Sequence, residues 1–155
     1  MKNTATMAAA IAPILQSYIN ICGITQYVEP IARDLAVVEK IKCDLRICNI
    51  QDARDRFIET PRSFLVSNTD YRDLTLPERK QVLIYCDKLQ NFRYVDVWDW
   101  CFRQTLRGHV VAVRDYASPD TLDCVCVWQS APDKIGRIEK LFIFGGGNHA
   151  ENTRS

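Results

Sequence analysis

Asp96 is the first residue to invite chemistry. It lies in the run Phe92-Arg-Tyr-Val-Asp-Val-Trp-Asp-Trp-Cys-Phe102, and in a strand alternate side chains share a face. Phe92, Tyr94, Asp96, Trp98, Trp100 and Phe102 then fall on one face, an aromatic wall with a single carboxylate in it. Such a wall binds flat apolar molecules through area and ring stacking. Apolar surroundings disfavour an ionised carboxylate and raise its pKa toward neutrality, as a general acid or base requires. The same alternation also suits a core or a dimer interface.

His109 and Asp115 are the proton-transfer partners within reach of that scheme. They share a face of the run His109-Val-Val-Ala-Val-Arg-Asp-Tyr116, at opposite ends. Tyr18 and Trp128 complete the expected substrate-binding set with Tyr94, Trp98 and Trp100. Arg54, Arg56 and Arg62 could receive an anion, or form a solvated face. No Gly-x-Ser-x-Gly sequence supplies a nucleophile. Gly145-Gly-Gly147 lacks the Lys-Ser/Thr and the helix of a phosphate loop. The seven cysteines match no zinc spacing, and they read as small apolar residues in a reducing compartment. No metal and no cofactor is expected.

The elements that would position these residues follow from periodicity. Ile11, Ile14, Leu15, Tyr18, Ile19 and Cys22 recur at helical spacing, and Gly23 provides a stop. Val28, Ile31, Leu35 and Val38 predict a second helix over 29–42. Asn49 is placed to cap a third over 51–59. Ser63–Val66 reads as a short strand. Thr75-Leu-Pro-Glu78 is a capping-box pattern that opens a helix to about Gln90, burying Val82, Leu83, Cys86 and Leu89. From Phe92 onward four β-rich runs, ending at Phe102, Tyr116, Trp128 and Phe144, are separated by Gly- or Pro-bearing turns. Short connections favour an antiparallel meander.

Composition narrows the function classes. The 20 basic and 19 acidic side chains nearly cancel, so the basic excess of a nucleic-acid binder is missing. No apolar run reaches the length of a membrane span. Met7 to Leu15 is short, contains Pro13 and lacks a cleavage site, so it reads as helix rather than signal peptide. The expectation is one domain over 1–147 with a flexible tail over 148–155, located in the cytoplasm.

Helices first, then a short strand, a capped helix and a long meander: this order resembles the NTF2-like superfamily, with its SnoaL-like and ketosteroid-isomerase-like members. Gly108-His-Val-Val-Ala-Val-Arg114 is similar to the family's Gly-x-x-Val-Ala strand. Asp133-Lys-Ile-Gly-Arg-Ile138 is similar to its Asp-Gly-Lys-Ile turn, with the order changed. The resemblance covers about Leu74 to Phe144. It implies an α+β cone, with N-terminal helices packed on a curved, mostly antiparallel sheet around an apolar pocket. It also implies a small apolar ligand, a homodimer, and a cofactor-independent isomerase, cyclase or dehydratase with Asp96, His109 and Asp115 as its acid–base groups. Some members of the superfamily bind ligands or partners without catalysis.

Overall fold

The computed structural model describes residues 4–50, 63–77, 80–89 and 96–146. Helix α1 (Thr4–Cys22) opens the chain. Its apolar stripe is the expected one, and Gly23 ends it with a φ of 65°, the left-handed stop that glycine adopts without a Cβ penalty. The next described elements are β1 (Gln26–Ala32), a 3-10 turn (Val38–Lys40), β2 (Leu45–Ile50) and β3 (Leu65–Ser67). A second 3-10 turn (Tyr71–Asp73), β4 (Val82–Asp87), α2 (Val97–Leu106), β5 (Val110–Asp115), β6 (Val125–Gln129) and β7 (Lys140–Gly145) complete the set.

The strands form one seven-stranded sheet in the order β3-β2-β1-β4-β5-β7-β6. Strands β1 to β5 pair in parallel. Strand β7 runs antiparallel to both β5 and β6, and so inserts between them. This is a doubly wound α/β sheet. The expected α+β antiparallel cone is overturned by these pairings. The central parallel strands β1, β4 and β5 are covered on both faces, as crossover connections demand. Helix α1 lies over one face, packing Ile11, Leu15 and Ile19 against Tyr27, Leu83, Ala112 and Ile143. Helix α2 lies over the other, packing Val97, Trp98, Trp100 and Cys101 against Val111, Val113, Phe142 and Phe144.

Three sequence expectations fail for one reason, the choice of period. The stretch 26–32 is a central strand, not the start of a helix. Pro30 is tolerated there because the register slips between Glu29 and Ala32 against β2, and between Val28 and Ile31 against β4. Such a bulge is where a strand can hold a residue that lacks an N–H. Val82 to Asp87 is also strand, buried at every position. A continuous apolar run is what a parallel strand covered on both faces looks like. Conversely, 97–106 is helix, where alternation predicts strand. Val97, Trp100, Cys101 and Gln104, all buried, stand at i, i+3, i+4 and i+7, the spacing of one helical face. The runs ending at Tyr116, Trp128 and Phe144 do contain strands. The helix expected over 51–59 lies outside the described residues, as does the expected tail from 148 on.

Candidate functional site

In an open α/β sheet the crevice forms beyond the carboxyl ends of the strands, where the strand order reverses direction. Here the reversal falls between β1, which leads outward to β2 and β3, and β4, which leads to β5. Each of these central strands ends in adjacent opposite charges: Arg33-Asp34 after β1, Asp87-Lys88 at β4, Arg114-Asp115 at β5. Alternation sends Asp87 and Arg114 to the α1 face and Asp115 to the α2 face.

On the α1 face these side chains form a buried polar band. Arg114 is fully buried and donates from Nη1 to Asp87 Oδ2 at 2.8 Å and from Nε to Glu139 Oε1 at 2.9 Å. Its Nη2 also donates to Glu139. Arg33 lies over the outer side with Nε 4.0 Å from Asp87 Oδ2, its side chain more than half exposed. One strand over, Glu29 is fully buried, accepts a hydrogen bond from the Tyr27 hydroxyl, and has the Cys48 thiol 3.8 Å from Oε1. Burial raises the Glu29 pKa to about 8, with a further push from Asp87 and a partial offset by the Tyr27 bond. Glu29 therefore keeps its proton at neutral pH. Burial likewise lifts Asp87 above the usual carboxylate range, while Arg114 pulls it back. In this band the buried Asp87 Oδ1 has no hydrogen-bond partner.

The end of β4 is also where the backbone is strained. Lys88 and Leu89 both donate their N–H groups to the Arg114 carbonyl at 3.0 Å, and Leu89 is left with a φ of 37°. A bulky side chain rarely enters that region, so the double bond to Arg114 is what holds the turn.

The residues proposed from sequence are spread over the fold. Asp115 is at the carboxyl edge, where Oδ2 accepts from Trp98 Nε1 at 3.0 Å and faces Lys88 Nζ at 3.4 Å. Asp96 immediately precedes α2, accepts from the Tyr71 hydroxyl, and lies 3.6 Å from Arg72 Nη1 with its side chain more than a third exposed. Trp98 stacks on Phe144 and meets Phe142 edge-on, while Trp100 meets Tyr71 edge-on. The two tryptophans are thus core residues of the α2 face. Tyr94 lies outside the described residues. Tyr18 is half-buried on α1, and it and Trp128 each pack against the α1-face core.

His109 sits at the opposite edge of the sheet, roughly 20 Å along β5 from Asp115 at the usual rise of a strand. Its Nδ1 accepts from the Val82 N–H at 3.0 Å, so the proton resides on Nε2, which is buried without a partner. Burial, then the Arg107 charge, lowers its pKa. Asp96 and Asp115 thus share the carboxyl edge, and His109 does not join them.

Glu29, Asp87, Arg114 and Glu139 were not among the residues proposed from sequence. The signal available for three of the strands was an apolar run closing on adjacent opposite charges. Among the described residues no group of three or more His, Cys, Asp or Glu is placed to hold a metal ion. No described helix is long and apolar enough to cross a membrane.

Comparison with solved structures agrees with this topology. A conserved hypothetical protein of Streptococcus pyogenes superposes with a TM-score of 0.56 at 7% identity, covering 84% of this chain and 94% of that one. The putative methyltransferase yhhF of Escherichia coli superposes with a TM-score of 0.55 at 8% identity, covering 88% and 85%. No protein-family model and no curated protein matches the sequence. At this identity the likeness establishes the fold and not the activity. It overturns the NTF2-like resemblance, and with it the SnoaL-like isomerase, cyclase or dehydratase reading and the cone-based ligand-binding alternative.

Proposed function

We propose that this chain uses a methyltransferase-like fold for binding rather than for methyl transfer. A methyltransferase holds a sulfonium methyl donor that carries adenosine. In doubly wound folds a nucleoside lies over the turn after β1, where glycines let the backbone come close. Here that turn is Ala32-Arg-Asp-Leu-Ala36, without a glycine. Leu35 is buried in the core. The Asp34 carboxylate accepts the Ala36 N–H at 2.9 Å, and Arg33 leans toward Asp87.

At the end of β2 an acidic side chain would be suited to ribose hydroxyls. Asn49 stands there with its amide already engaged at both ends. Nδ2 donates to the Pro30 and Thr69 carbonyls, and Oδ1 accepts from Ser67 Oγ and the Thr69 N–H. These residues do not fit the donor, so no transfer step is assigned to them.

The observation that carries this reading is the turn after β1, which has no glycine and is anchored by the buried Leu35 where a cofactor would need open backbone. The test is isothermal titration of the protein with S-adenosylmethionine and with S-adenosylhomocysteine, alongside melting curves. The expected outcome is no saturable heat and no change in Tm. Stoichiometric binding of either compound overturns the proposal. The homodimer expected from sequence belongs with a binding role, and sedimentation velocity of the purified chain tests it separately.

A further inference from the structure

Helix α2 buries one stripe and shows another. The buried stripe includes Val97, Trp100, Cys101 and Gln104. The outer stripe is Asp99, Phe102, Arg103 and Leu106, at i, i+3, i+4 and i+7, and all four are exposed. Two large apolar side chains stand in it: Leu106 is 71% exposed and Phe102 40%. One exposed leucine is ordinary on a protein surface. This one has a complement on the same helix. Beside the first turns of α2 is an open notch of about 410 Å³. It is lined by Trp98, Asp99 and Phe102 and, from the segment between β5 and β6, by Pro119, Thr121 and Leu122. The projecting leucine and the notch are about two helical turns apart.

The charges along this stripe are ordered in the same sense. Asp99 is in the first turn, Arg103 in the last, and Arg107 caps the end. Asp99 and Arg103 form an ion pair at 2.7 Å with both side chains more than half exposed. Such a surface has an acid and a notch at one end, and bases and a knob at the other. It is complementary to itself after a two-fold rotation.

We propose that this face of α2 is where two copies of the chain meet, as an antiparallel pair of helices about a two-fold axis between Phe102 and Arg103. In that register Leu106 lies opposite the partner's Asp99. Its side chain enters the notch between the partner's Trp98 and the partner's Leu122, as a knob enters a hole between packed helices. Arg103 and Arg107 come over the partner's Asp99. Each contact is made twice, because residue i meets j and j meets i in such an interface. Pairing removes Phe102 and Leu106 from water. A parallel pair would instead set Asp99 against the partner's Asp99, which repels. The interface deepens one part of the proposed function, the homodimer, and is independent of whether a methyl donor binds.

The experiment is sedimentation equilibrium of the full chain, wild type and Leu106→Glu, with melting curves to show that each is folded. The wild type is expected to be a reversible dimer. Leu106→Glu removes two symmetry-related apolar contacts and sets a carboxylate against the partner's Asp99. The dimer Kd should rise about a hundredfold, a factor of about ten for each contact. Charge reversal is the second arm. Asp99→Lys alone should weaken the dimer, and so should Arg103→Glu with Arg107→Glu in one chain. Mixed together, the two variants should form a heterodimer, because every reversed charge then meets its opposite. A defect within either monomer would not be repaired by mixing.

A wild type that stays monomeric overturns both the interface and the homodimer, and leaves the absence of methyl transfer to its own titration. A dimer that Leu106→Glu does not weaken overturns this surface alone. If Leu106→Glu does not fold, the mixed charge variants decide the question, and their failure to pair overturns the antiparallel register. Binding of S-adenosylmethionine by a dimer that Leu106→Glu breaks would overturn the proposed function and leave the interface standing.

Discussion

On the face under α1, the central strands present Tyr27, Glu29, Tyr85, Asp87 and Arg114. On the face under α2, the same strands present Val28, Ile84, Cys86, Val111 and Val113. Burial is equally deep on both sides, yet the two faces pack by different physics. The α2 face is held by apolar area and by rings, with Trp98 seated against Phe142 and Phe144. A deep polar anchor on it is the Trp98–Asp115 bond. The α1 face gains nothing from transfer of its charges out of water. It recovers the cost only through directed bonds from Arg114 to two carboxylates. Both faces bury apolar area, and on the α1 face the polar band in addition dictates which groups must meet.

The comparison can be broken most sharply at Arg114. Arg114→Met leaves Asp87 and Glu139 buried without their cation, and should cost about 4–5 kcal/mol in urea unfolding at pH 7, the upper end for a broken buried pair. The loss should shrink in acid, where both carboxylates can take up protons. A loss under about 1 kcal/mol would mean that the pair is wetter than its burial implies.

Next in size is Trp98→Ala on the apolar face, expected to cost about 3–4 kcal/mol from lost area and the cavity left against the two phenylalanines. Unlike the arginine variant, it should show little change in that cost between pH 5 and pH 8. A strongly pH-dependent loss would shift weight to the Asp115 bond.

The smallest effect is the most specific. Glu29 has a folded pKa of about 8, above its ordinary value of 4.5. The folded state therefore binds the extra proton between those values. Its stability contribution is complete below about pH 4.5 and is lost as pH rises through 8. His109 acts oppositely. Its lowered pKa makes stability fall as pH drops below the ordinary histidine value near 6.5. Glu29→Gln should remove the alkaline limb and leave the acid limb in place. Melting curves of wild type and variant from pH 5 to 8.5 check this, and parallel curves would show that Glu29 is ionised throughout.

Much of the topology was hidden because two strands and one helix imitate each other's patterns. Val82 to Asp87 follows a capping-box sequence and offers apolar residues at every spacing, helical ones included. Only its density of branched and aromatic residues argues for a strand. The run ending at Phe102 places aromatics at every second position, but Val97, Cys101 and Gln104 also keep a helical repeat beneath them. In the helix successive residues turn by about 100°, so Asp96 separates from Trp98 and Trp100 and moves to the start of α2. The acid in the aromatic wall was a product of the assumed period. Tyr18, Asp115 and Trp128 stand on the helix and strands expected for them.

The sequence by itself determined the local features. These are α1 and its glycine stop, the strands within the runs ending at Tyr116, Trp128 and Phe144, and the near-neutral charge balance. Such features depend on neighbours a few residues apart, through side-chain spacing, capping and backbone freedom. Tertiary structure alone decided the strand order, the insertion of β7 between β5 and β6, and the reversal between β1 and β4. Those depend on which apolar faces bury one another across 50 or more residues, which no local period encodes. The buried band of Glu29, Asp87, Arg114 and Glu139 exists only because that order brings four separate segments side by side.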